Sequence, residues 1–194
     1  MLITYFGFLK LSFLVYQNDK MFRKIIIIFL FLQKGFLLAQ EENPFELYKA
    51  KWIGKPIPEL VLKDIYGKEI KTTDLKGKVF LLNMWFIGCP GCKVEYPGLQ
   101  TLKKRFVDAK KVDKVEFFSL ALDTKENLVD FLKKNPLDFI QIPNTESISR
   151  VKFNVLGFPT NIIVDKNGII RHIKIGGSAQ SADDIEYEML QLLK

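Results

Sequence analysis

Val79-Phe80-Leu81-Leu82-Asn83-Met84-Trp85-Phe86-Ile87-Gly88-Cys89-Pro90-Gly91-Cys92-Lys93-Val94-Glu95 is the stretch whose reading decides the fold. Its first half, up to Phe86, is an apolar run too short and too rich in strand-favouring residues for a helix by itself, and it reads as a buried strand. From Pro90 to about Ala109 the spacing turns helical. Leu99, Leu102, Phe106 and Val107 are expected on one side, with Lys103, Lys104 and Arg105 on the other. Strand, tight turn and helix together put Cys89 in the first turn of the helix. Pro90 fits there because an early helical position does not need its N–H.

That placement dictates a chemistry. Unpaired backbone N–H groups and the positive end of the helix dipole favour thiolate over thiol at Cys89. Thiolate is the nucleophile of disulfide exchange, and cysteines in this setting have pKa values of roughly 3.5 to 7.5 instead of about 8.5. Cys92 follows three residues on, on the same helical face, within reach of a mixed disulfide at Cys89. Glu95 comes next at that spacing. A buried carboxyl beneath the pair is placed to take or give the proton of Cys92.

Other uses of two cysteines fit less well. A purely structural disulfide across a two-residue gap closes a tiny loop and removes little unfolded-chain entropy. A structural zinc site needs about four ligands, and the whole chain has two cysteines and one histidine, His172.

The formal charge of +7 suggests nucleic acid at first. Residues 1–40 hold five of the basic residues (Lys10, Lys20, Arg23, Lys24, Lys34) and one acid, Asp19, so 24 basic and 21 acidic residues remain, an ordinary surface. Nucleic acid is therefore dropped as a partner. Met21-Phe22-Arg23-Lys24 followed by Ile25 to Leu32 has the charged start and short apolar core of a secretory signal. The expected division is residues 1–40 as an upstream extension plus signal peptide, starting in truth at Met21 and cut near Ala39/Gln40, and residues 41–194 as one domain. Lys34 interrupts the apolar run well short of the ~20 residues that span a bilayer, so the membrane enters only through the leader if it stays uncleaved. No cysteine near its end offers a lipoprotein anchor.

Downstream, Phe45 to Trp52 reads as a short helix, and Leu60–Asp64 with Glu69–Thr72 as a β-hairpin around Tyr66-Gly67-Lys68. Val115–Leu122 is a second buried strand, Glu126–Lys134 a helix, Phe139–Ile142 a short strand and Ser147–Phe153 a short helix. Gly157-Phe158-Pro159-Thr160 leads into strand Asn161–Val164. Asp165-Lys166-Asn167-Gly168 reads as a hairpin turn in which Asn-Gly supplies positive φ angles, and Ile169–Ile175 returns antiparallel. Ser181 with Asp184 is expected to cap the last helix. Strands alternating with helices, closed by a hairpin and a helix, predict an α/β fold with a mixed sheet and helices on both faces.

Trp85 through Cys92, Glu95 with Pro97, Gly157-Phe158-Pro159-Thr160 and Asp165-Lys166-Asn167-Gly168 together resemble the thioredoxin fold, and within it the extracytoplasmic TlpA/ResA-like thiol–disulfide oxidoreductases. The resemblance runs from about Ile53 to Lys194. It implies a three-layer fold with an N-terminal β-hairpin extension and an inserted α/β element. Cys89 would be the attacking cysteine, Cys92 the resolving one, and Pro159 would follow a cis bond that turns Phe158 toward the cysteines. Trp85, Pro90, Gly91, Phe158 and Pro159 would then face the substrate. Thioredoxin has a buried aspartate where this chain has Asn83; relatives of the TlpA/ResA type carry asparagine there and an acid where Glu95 stands. The resemblance further implies no cofactor beyond the dithiol, disulfide-containing protein substrates, a membrane thiol electron donor, a periplasmic or other extracytoplasmic site, and work such as cytochrome c maturation.

Two rivals share the fold. A peroxidase of the peroxiredoxin type puts Pro and Thr ahead of its cysteine, where this chain has Trp85-Phe86-Ile87-Gly88. A copper-delivery module would suit two thiolates and an imidazole, but such modules space the cysteines by three residues and hold histidine in a loop, whereas His172 is expected in the closing strand.

Overall fold

The computed structural model describes residues 23–24 and 43–194, so the expected leader, its start and its cut lie outside the described residues. Helix α1 (Pro44–Trp52) is followed by the short antiparallel strands β1 (Val61–Lys63) and β2 (Glu69–Lys71). Their turn is tied by Asp64, whose Oδ1 accepts from the N–H groups of Tyr66 at 2.8 Å and Lys68 at 2.9 Å, with Gly67 at positive φ.

The body is a five-stranded sheet of β3 (Val79–Trp85), β4 (Val115–Ala121), β5 (Ile140–Ile142), β6 (Thr160–Val164) and β7 (Ile170–Ile175), in the order β5-β4-β3-β6-β7. Strands β3, β4 and β5 are parallel; β6 and β7 run antiparallel, so the sheet is mixed. Every residue of β3 is buried, which is what an apolar run broken only by Asn83 means for a central strand covered on both faces.

Period-two alternation divides those residues between two cores. Phe80, Leu82 and Met84 of β3 join Phe118, Leu120, Ile162 and Val164 on one face, together with Leu62 of the hairpin. Val79 and Leu81 join Phe117, Ile163 and the inner faces of two helices on the other. Those helices are α2 (Pro90–Asp108), which contributes Leu99, Leu102 and Phe106, and α4 (Ser181–Leu192), which contributes Ala182, Ile185 and Met189. Helix α3 (Lys125–Lys134) buries Leu128 beside the cysteines, with Phe131 and Leu132 packed against that cluster. The inserted element is α3, β5 and the helical turn Ser147–Lys152, so the expected three-layer α/β architecture is present.

Local expectations are corrected in four places. Val107 is 50% exposed, because one residue past Phe106 is a rotation of about 100° off the buried stripe. The short helix expected from Ser147 is present but ends at Lys152 and is wound as a π-helix, with Phe153 N–H donating to Ile148 C=O at 2.9 Å. In the β6–β7 turn only Gly168 has positive φ; Asn167 does not, and the Gly168 N–H donates to Asp165 C=O at 2.9 Å. This is the three-residue connection with glycine in the left-handed position, and Asp165 Oδ1 steadies it by accepting from Asn167 N–H at 2.8 Å. Ser181 does not cap α4. Gln180 is the N-cap and makes no side-chain cap bond, Ser181 Oγ accepts from Ser178 N–H at 2.9 Å, and Asp184 pairs with Lys174 at 2.7 Å.

Candidate redox site

The site lies where β3 runs into α2. The turn between them is held from β4's end of the sheet: Leu122 N–H donates to Trp85 C=O at 3.0 Å, and Ile87 N–H to the Asp123 carboxylate at 2.7 Å. Gly88 takes φ of 92°, a left-handed conformation that costs a side-chain-bearing residue and not glycine.

Cys89 is the N-cap of α2, one position outside the first turn expected for it. Its Sγ accepts from Cys92 N–H at 3.1 Å, so the sulfur occupies the place where an N-cap oxygen would satisfy an orphan amide. Negative charge that develops on that sulfur meets a backbone donor and the positive end of a 19-residue helix. Cys89 and Cys92 are joined as a disulfide with Cα atoms 5.2 Å apart, and both are buried.

Glu95, three residues after Cys92 on the same face of α2, is 1% exposed. Asn83 Nδ2 donates to its Oε1 at 2.9 Å, and Asn161 Nδ2 to its Oε2 at 3.0 Å. Burial pushes the Glu95 carboxyl up to about 7; hydrogen bonds from Asn83, Asn161 and Ser181 and the charge of Lys174 pull the other way without cancelling it. The group therefore titrates near neutrality, between its two protonation states.

The Phe158–Pro159 peptide is cis. Phe158 stands edge-on to Phe86 with ring centroids 5.6 Å apart, and the Arg150 guanidinium lies 5.3 Å from the Phe158 centroid. Gly91 backs onto Pro159: a Cβ there would sit 3.2 Å from Pro159 Cδ. Pro90 is exposed. Trp85 is buried under the site, donating from Nε1 to Ser119 Oγ at 2.7 Å and packing on Tyr96 and Phe131. With Phe86, Gly88 and those two rings it lines a groove of about 290 Å³ that reaches Cys92.

His172 lies on β7 in register with Ile163, its Nδ1 3.9 Å from Glu188 Oε1, and burial holds its imidazole below the usual range. Among the described residues no group of three or more His, Cys, Asp or Glu side chains gathers as metal ligands would.

Four contributors are not marked by any motif in the sequence: Asn161, Ser119, Asp123 and Gly177, which backs onto Gly91 so closely that an added Cβ would overlap the Gly91 carbonyl oxygen. Asn161 left a trace, since it interrupts the apolar strand Thr160–Val164 just as Asn83 interrupts β3, and a polar side chain inside a buried strand needs partners. The other three reach the site through turns and pairings that no local pattern encodes.

Comparison with known proteins agrees with this geometry. The model of the AhpC/TSA family matches residues 53–173. The thiol-disulfide oxidoreductase ResA of Bacillus cereus is 33% identical over 161 residues, covering 81% of this chain and 89% of ResA. The thiol:disulfide interchange protein DsbE of Pseudomonas aeruginosa is 31% identical over 153 residues, covering 78% and 79% respectively. The crystal structure of StoA from Bacillus subtilis superposes with a TM-score of 0.56 at 26% identity, covering 71% of this chain and 98% of StoA. With a cysteine pair at a helix N-terminus in a thioredoxin-like sheet, the chain belongs to the AhpC/TSA family, among its thiol–disulfide oxidoreductases.

Proposed function

We propose that this oxidoreductase works outside the cytoplasm, delivered by the leader ahead of residue 41, and that it reduces disulfides in protein substrates, those of cytochrome c precursors among them. The observation that supports this most is the N-cap placement of Cys89, with a backbone donor 3.1 Å from its sulfur.

Starting from the dithiol, the Cys89 thiolate attacks one sulfur of a substrate disulfide, forming a mixed disulfide and expelling the other substrate sulfur as thiolate. Glu95 as carboxylate takes the proton of Cys92. The Cys92 thiolate then attacks Cys89 Sγ, closing the Cys89–Cys92 bond and releasing the second substrate thiolate. Two protons complete the products, so the substrate gains two electrons and the enzyme loses them. A dithiol on a membrane partner restores the reduced pair by the reverse exchange: its first thiolate forms a mixed disulfide, its second closes the partner's own disulfide, and Cys89 and Cys92 are released as thiols. No cofactor enters these steps. Exposed Pro90, with Gly91, Phe158 and Pro159, forms the surface on which a substrate strand lies, while Trp85 walls the groove beside Cys92.

The equilibrium of the Cys89–Cys92 pair with glutathione tests the direction. A potential near the roughly −270 mV of thioredoxin supports a reductant; one at or above the roughly −180 mV of disulfide isomerase overturns that direction.

A further inference from the structure

The amides of Asn83 and Asn161 meet the Glu95 carboxyl in a closed triangle. Asn83 and Asn161 are direct cross-strand partners in the β3–β6 pair, on the face that the alternation of Leu81 and Ile163 turns toward α2. Asn83 Nδ2 uses its two hydrogens on different acceptors, Asn161 Oδ1 at 2.8 Å and Glu95 Oε1 at 2.9 Å. Asn161 Nδ2 points at Glu95 alone, 3.0 Å from Oε2 and 3.4 Å from Oε1. Asn161 and Asn83 are 0% and 2% exposed, so solvent does not substitute for any of these bonds.

The triangle has only one self-consistent sense. With Asn161 Oδ1 engaged by Asn83, its NH₂ must face the carboxyl. Turning that amide over would set NH₂ against NH₂ on one side and oxygen against carboxylate on the other. We propose that Asn161 is a positioning residue of the exchange reaction: from β6 it orients the Glu95 carboxyl under Cys92 and holds Asn83 as a second donor to it.

The inference rests on the proton-transfer role given to Glu95 above and deepens it. Both amides offer donors, which suits a carboxylate; protonation of Glu95 weakens these bonds, because a neutral carboxyl is the poorer acceptor. The other groups that act on Glu95 are Ser181 of α4 and Lys174 of β7, whose charge is shared with Asp184; Cys92 precedes it by three residues on α2. Asn161 is the contributor that comes from the strand directly after Pro159, so the substrate-facing segment and the proton-handling group share one backbone.

The test follows the Glu95 carboxyl itself by ¹³C-labelled NMR titration of the full chain in its oxidised form. Asn161→Leu removes the donor at similar size and is expected to raise the Glu95 midpoint by about one pH unit, a tenfold gain in proton affinity. Asn161→Asp, which keeps the shape should the leucine variant not fold, is expected to raise it as well, because two carboxyls then share one site. The pH profile of Cys92 alkylation in the Cys89→Ser background is expected to move with it. A Glu95 midpoint unmoved in a folded Asn161 variant overturns the inference, since a merely structural asparagine changes stability without changing that titration. Glu95→Gln runs alongside: an unaltered Cys92 profile in that variant removes Glu95 from the proton path, bringing down the functional reading and this inference with it.

Discussion

Gly177 closes against Gly91 so tightly that a methyl group at position 177 would overlap the Gly91 carbonyl oxygen, and would stand 3.1 Å from Pro159 Cγ. The Gly-Gly step between β7 and α4 is thus the back wall of the Cys-Pro-Gly-Cys turn, and the two glycines need different things. Gly176 has φ of 85° and open space around its missing Cβ; Gly177 has an ordinary φ and no space.

Gly177→Ala therefore has to push the Gly91 backbone outward. We expect a loss of about 1–3 kcal/mol, as for overpacking elsewhere, and a marked fall in insulin-reduction rate. Gly176→Ala pays only the conformational penalty, about 1 kcal/mol, with the rate retained. Equal rates in the two variants would contradict the back-wall role.

Glu95 links stability to pH with an unusual sign. Its carboxyl moves from 4.5 in a free side chain to about 7 in the fold. Between those values the folded chain holds a proton that the unfolded chain releases, so stability drops as pH rises through that window and levels off above it, by about 3 kcal/mol in total. Glu95→Gln lacks this drop. Urea unfolding of the oxidised proteins from pH 4.5 to 8 should show the difference between variant and wild type growing in favour of the variant across the window; a constant difference contradicts the shift.

Cys92→Ser leaves the attacking sulfur without its partner and should accumulate a mixed disulfide between Cys89 and a substrate cysteine, seen by mass as a thiol-labile adduct. Cys89→Ser should form none and return insulin reduction to the uncatalysed background. An adduct on Cys92 in that second variant would reverse the assigned roles.

Trp85→Phe strands Ser119 Oγ, which is buried and receives the Trp85 indole N–H. An orphaned buried hydroxyl costs about 1–3 kcal/mol, read as a lower urea midpoint. Adding Ser119→Ala to Trp85→Phe removes the orphan, so the double variant should regain part of that loss.

The strand-turn-helix around Cys89, the cysteine pair and Glu95 were legible in the residues alone, because each depends on spacing within one short segment: apolar runs for β3, a helical repeat for α2, and three-residue steps that stack Cys92 and Glu95. Val107 and Ser181 misled for the same reason. The repeat does not say where a stripe ends, and Ser178, three residues away, offers Ser181 a nearer partner than the helix does.

Local sequence placed a sulfur at a helix start and a carboxyl one turn on, since both are matters of covalent order. The fold alone decided how those atoms are tuned. Asn161 meets Glu95 across 66 residues of chain, and Gly177 meets Gly91 from a loop that follows the last strand. Such neighbours arise from strand register and sheet order, where a one-residue slip would turn Asn161 to the opposite face, and no periodicity within either segment specifies that pairing.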